Sequence, residues 1–132
     1  MDDELHYPTM EAAKSVLIKI GVDPSTRFDV QDQDFMYTSC KVDEINQYIK
    51  LYEQKDTTPV EKRVLGCFLL ECLNEYFEDN KKGHPLQSHA FKLLHNDTDV
   101  HESELKYWTN TSDTDEDHWW PITKELLKWR NT

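Results

Sequence analysis

The run Thr58-Pro59-Val60-Glu61 constrains this chain more than any other stretch. A threonine followed three residues later by a glutamate is the pattern of a capped helix start. The hydroxyl accepts from an unpaired N–H of the first turn, and the carboxylate reaches back to the cap residue's own N–H. Proline fits the first helical position because that position has no intrahelical use for an N–H. Downstream, Val60, Val64, Leu65, Phe68, Leu69, Cys72, Leu73, Tyr76 and Phe77 recur at intervals of three and four. That stripe is wide enough to be buried on more than one side. Lys81 and Lys82 complement the negative end of the macrodipole, and Gly83 and Pro85 follow as stop signals. The pattern predicts one continuous helix over 59–80 at the centre of the fold. Gly66 inside it costs roughly 1 kcal/mol relative to alanine, so a second helix is expected to approach closely there.

The remaining segments read as helices of ordinary length. Met10, Ala13, Val16, Leu17 and Ile20 form one stripe, with Thr9 as cap and Gly21 and Pro24 as terminators. Val42, Ile45, Ile49 and Tyr52 define a helix over 42–55. Leu86, Ala90, Phe91, Leu93 and Leu94 define one over 86–95. A short helix is expected over 102–108. A last one follows Pro121, with Ile122, Leu126, Leu127 and Trp129 turned inward. Residues 25–40 are irregular by pattern. Phe28 and Val30, then Phe35 and Tyr37, alternate with polar residues as a short hairpin would, yet no Asn-Gly or Asp-Gly turn joins them. The expected fold is therefore mainly α: a single-domain helical bundle of about five helices spanning 1–132, with an irregular segment at 25–40 that has room for a short hairpin.

Composition narrows the function. Fifteen basic against twenty-six acidic residues give a formal net charge of −11. So acidic a surface repels nucleic acids and anionic lipids and attracts basic partners. Three cysteines, Cys40, Cys67 and Cys72, fit poorly with a disulfide framework. No apolar run approaches the roughly 18 residues of a membrane span. The start, Met1-Asp2-Asp3-Glu4, is acidic where a secretory signal is basic. A cytoplasmic protein with no membrane or nucleic-acid partner is expected.

Catalytic patterns are missing. There is no phosphate-binding glycine loop, no G-x-S-x-G, no C-x-x-C and no H-E-x-x-H. His84, His89, His95 and His101 are five and six apart, whereas ligand pairs on a helix sit three or four apart. Asn96-Asp97-Thr98-Asp99 begins like a calcium loop, but His101 and Tyr107 stand where that loop needs glycine and glutamate. Nothing near Cys40 marks it as an activated nucleophile. Neither an enzyme nor a metal or other cofactor is expected.

Residues 97–118 hold eight acidic side chains against Lys106 alone, −7 of the chain's −11. Tyr107, Trp108, Trp119 and Trp120 are interleaved with them. Aromatic anchors ringed by carboxylates suit a basic protein partner. The residues assigned to such a surface are Asp97, Asp99, Glu102, Glu104, Trp108, Asp113, Asp115, Glu116, Asp117 and Trp119. In size, acidity and lack of an active site the chain resembles bacterial toxin-immunity proteins, such as those of contact-dependent growth inhibition systems. That resemblance rests on the profile of the whole chain and carries over no residue. It implies neutralisation of a basic toxin domain, with a nuclease as the leading candidate because its cleft is built for phosphates. Two other readings compete: a regulatory or adaptor protein for another basic or helical partner, and a small metal-dependent hydrolase.

Overall fold

The computed structural model describes residues 9–27, 40–109 and 119–130. Six α-helices occur among them: α1 Met10–Lys19, α2 Ile45–Tyr52, α3 Pro59–Asn80, α4 Gln87–Asn96, α5 Thr98–Trp108 and α6 Thr123–Arg130. Two single 3-10 turns, Pro24–Thr26 and Val42–Glu44, accompany them. No strand occurs among the described residues. The fold is a helical bundle.

The central helix is as the cap pattern predicts. Thr58 Oγ1 accepts from Glu61 N at 3.2 Å, and Glu61 Oε1 accepts from Thr58 N at 3.0 Å. From Arg63 to Leu70 every side chain is buried, because α1, α2, α4 and α5 all pack on α3. A helix enclosed this way stabilises the bundle through apolar area removed from water, about 25 cal/mol per Å². Its end differs from the expectation. Lys81, not Gly83, takes the left-handed position, at φ 58°, and its N–H donates to Phe77 O at 2.8 Å.

Helix α1 starts on Thr9, whose Oγ1 accepts from Ala12 N at 3.1 Å. It stops in a Schellman arrangement: Val22 N donates to Leu17 O and Gly21 N to Ile18 O, with Gly21 at φ 85° supplying the left-handed residue. Glu61 fixes α1 against α3. It receives Lys19 Nζ at 2.8 Å and Ser15 Oγ at 2.7 Å. Burial opposes its charge, yet the lysine and the hydrogen bonds from Thr58 and Ser15 hold its carboxyl down at about 2.

The helix expected over 42–55 is shorter and composite, a 3-10 turn leading into α2, which ends at Tyr52. Thr57 Oγ1 donates to Leu51 O at 2.5 Å and closes the turn into α3. Near the start of α2, the Glu44 carboxylate takes both Arg27 nitrogens as a fork and also accepts from Tyr48 Oη at 2.7 Å. Arg27 first, then Tyr48, holds Glu44 below the usual carboxylate range. Only residues 25–27 and 40 of the irregular segment are described, and 24–26 is a 3-10 turn. The expected hairpin lies outside the described residues.

Helices α4 and α5 meet at one non-helical residue, Asp97, so α5 begins four residues before the expected 102. The extra turn brings His101 onto the face that meets α3. A β-carbon on Gly66 would stand 2.6 Å from His101 Nδ1 and 2.7 Å from Cε1. Glycine there admits the imidazole, which is the close approach its position predicted. Helix α6 is held at its start by two buried bonds. Ile122 N donates to Asn74 Oδ1 at 3.1 Å, and Thr123 Oγ1 to Trp108 O at 2.7 Å.

Candidate functional site

The face of α5 that meets α3 carries His101, Glu104 and Trp108, spaced three and four apart and all buried. Trp108 is 1% exposed and Glu104 8%. Both were expected on a partner-binding surface, and both belong to the interior. Counting α5 from its true start puts 101, 104 and 108 on one stripe, and a stripe that faces α3 cannot also face a partner.

This seam is unusually polar. Tyr52 Oη donates to Asp97 Oδ2 at 2.6 Å and also meets His101 Nε2 at 2.6 Å. A phenol has one proton. With that proton on Asp97, the imidazole must offer Nε2–H to the phenol oxygen, which leaves Nδ1 as a bare acceptor against Gly66. Burial drives His101 down to about 4, although Asp97 pulls the other way. Arg63 is 1% exposed, and its guanidinium has no hydrogen-bond partner among the described residues. Its charge acts on Cys67, His101 and Glu104. Burial raises both the Cys67 thiol and the Glu104 carboxyl, so neither is a ready nucleophile or base.

The other acidic residues of the expected surface are distributed differently. Asp99 and Glu102 are exposed, and Glu102 pairs with Lys106 at 2.9 Å. Asp97 is half-buried and committed to Tyr52, with Lys62 Nζ 3.9 Å away. Trp119 is half-buried. Asp113, Asp115, Glu116 and Asp117 lie outside the described residues.

Two aromatic side chains the pattern did not select are the exposed ones. Tyr107 is 44% exposed and Trp120 45%. Their rings lie 6.0 Å apart, and both rest on Trp108, at 5.3 Å and 5.4 Å respectively. Trp108 is therefore the rigid back plate of an aromatic step, and the clasp of Thr123 on Trp108 O and Ile122 on Asn74 holds Trp120 in place. The charge acting on the step comes first from α3 and then from Glu104 of α5. Glu71 acts on the Tyr107 hydroxyl, and Glu75 and Glu78, one and two turns further, act on Glu71. Burial first, then these two neighbours, raises the Glu71 carboxyl. Sequence reasoning missed the three glutamates because the broad apolar stripe of α3 drew attention from its narrow polar side. Their i, i+4, i+7 spacing was the available signal.

The four described histidines do not converge. His84 Nδ1 accepts from Leu86 N at 3.0 Å, His89 meets Glu53 at 3.3 Å, His95 Nδ1 meets Phe91 O at 2.8 Å, and His101 is in the α3–α5 seam. Among the described residues no three His, Cys, Asp or Glu side chains gather as a metal-binding group. No described helix is long and apolar enough to cross a membrane. Comparison with protein-family models, with curated proteins and with solved structures returns no match to this chain.

Proposed function

We propose that this chain is a non-catalytic, acidic binding protein whose partner is a basic protein, and that within this class it is an immunity protein neutralising a basic toxin domain such as a nuclease. The observation that carries the reading is the exposed Tyr107–Trp120 step on buried Trp108, with Glu71 acting on Tyr107 and Glu75 and Glu78 continuing the acidic row along α3. Rigid aromatics offer large contact area at little entropic cost. Carboxylates in a row raise the encounter rate with a basic cleft, and they imitate the phosphates such a cleft is built to hold. The net charge of −11 extends that attraction beyond the contact itself.

The experiment is association and dissociation kinetics against basic toxin domains, nucleases first, at several salt concentrations. Replacing Glu71, Glu75 and Glu78 together with Gln slows association and flattens its salt dependence, because screening acts over roughly 8–10 Å. Trp120→Ala speeds dissociation with little change in association. An unchanged association rate and salt slope in the triple variant would remove the glutamate row from the interface and sink this reading.

A further inference from the structure

Of the three thiols, two share α3. Cys67 and Cys72 are five residues apart, about 140° around the helix axis, so their side chains diverge and cannot bridge. The third thiol reaches α3 from outside. Lys41 N donates to Tyr48 Oη at 3.0 Å, which fixes the backbone next to Cys40. Tyr48 is fully buried, with its ring 5.4 Å from that of Phe68, one helical turn before Cys72. The 3-10 turn Val42–Glu44 also packs on α3. Cys40 is thereby seated against the core, and its side chain interacts directly with that of Cys72. The Tyr48 hydroxyl feels both sulfurs. Cys40 is half-buried, whereas Cys72 and Cys67 are wholly enclosed.

We propose that Cys40 and Cys72 are a dithiol pair that closes to an intramolecular disulfide when the folded protein meets a low-molecular-weight disulfide of the glutathione type. Cys40, the accessible member, attacks as thiolate on one sulfur of the small disulfide. That S–S bond breaks, a Cys40 mixed disulfide forms, and the departing thiolate takes a proton from water. Cys72 then gives up its proton and attacks Cys40 Sγ, and the second small thiol leaves. The protein has lost two hydrogens, and the small disulfide has been reduced to two thiols. In the dithiol, contact with Cys40 and burial both push the Cys72 thiol up; in the mixed disulfide burial still does, so the second step is the slow one and quickens as pH rises. Cys67 points about 140° away around α3 and makes its side-chain hydrogen bond with Glu104, and Cys40 is only the last and weakest of the groups that act on it. The bridge joins the approach to α2 directly to the central helix.

The test incubates the folded protein with oxidised glutathione at mildly alkaline pH, followed by intact and peptide mass spectrometry without reduction. A Cys67→Ala background leaves one thiol on the α3 peptide and makes assignment unambiguous. The expected result is a loss of two hydrogens and a cross-link between residues 40 and 72. Cys72→Ser instead accumulates a glutathione adduct on Cys40, and Cys40→Ser yields neither product, which decides the matter even where the buried Cys72 variant folds poorly. In urea, wild-type protein favours the 67–72 link, since short loops close most readily in an unfolded chain. Persistence of the Cys40 adduct without the cross-link in folded Cys67→Ala protein overturns the proposal, as does a native cross-link that uses Cys67.

Discussion

Lowering the pH from 7 to 5 charges His101 in the unfolded chain while leaving it neutral in the folded one. The structure supplies the reason. Nε2–H is already committed to Tyr52 Oη, so a second proton must go to Nδ1, which faces Gly66 with no acceptor in reach. Burial accordingly holds the folded ring at about 4 against an ordinary 6.5. A group whose folded pKa is depressed costs stability as pH falls through the unfolded value, and the cost stops growing below the folded one. Proton linkage between those two values gives a loss of about 2 kcal/mol between pH 7 and pH 5. Glu104 and Glu71 work the other way. Their carboxyls are raised by burial, so acid relieves a cost they impose at neutral pH. Glu61, held at about 2, adds its own loss only at still lower pH. The comparison that isolates His101 is urea denaturation of wild type and His101→Gln at pH 7, 6 and 5. Glutamine keeps an N–H for Tyr52 and does not titrate. The difference in unfolding free energy between the two proteins should shrink by about 2 kcal/mol across that window. If the two stabilities fall in parallel, the ring is not the acid-sensitive group and the tautomer assigned to it is wrong.

Two further substitutions test the packing around α3. Gly66→Ala gains helix propensity, yet its methyl group would stand 2.6 Å from His101 Nδ1. The overlap should win, with a net loss of about 1–3 kcal/mol in chemical denaturation; a stabilised variant would mean that α5 can back away freely. Lys81→Gly relieves a side chain from the left-handed conformation at φ 58° and should raise stability by about 0.5–1 kcal/mol in the same assay.

The backbone plan of this protein is largely written in local signals. Thr58, Pro59 and Glu61 mark the start of α3, Gly21 ends α1, and apolar spacing traces each helix, because these depend on neighbours a few residues away. The seam between α3 and α5 was not legible. Its α5 side consists of His101, Glu104 and Trp108, and a search for apolar periodicity passes over a stripe that is mostly polar. Composition placed Glu104 and Trp108 on an acidic surface, whereas Tyr52 and Gly66, distant in sequence, make room for His101 inside. The same limit applies to the aromatic step. Tyr107, Trp108, Trp119 and Trp120 were all visible as candidates, but which ring is plate and which is face depends on how Asn74 and Thr123 dock the last helix. Gly83 and Pro85 were sound stop signals for α3, but a stop signal does not say which residue turns left-handed. Lys81 holds that place because the helix ends one residue before it.

The bond from Thr123 Oγ1 to Trp108 O means that the chain departs at 108 and returns to the same point fifteen residues later. The end of α5 and the start of α6 are thus tied to each other by a bond between described residues. With both ends fixed in this way, the entropy of closing a connection grows only logarithmically with its length, about 0.6 kcal/mol for each doubling. A change in the length of the connection should therefore cost the fold little, while the bonds of Thr123 and Ile122 keep the geometry of the aromatic step. Such an arrangement separates the part of a protein that must stay the same from the part that is free to diverge. It would let related chains acquire different partners while keeping one scaffold.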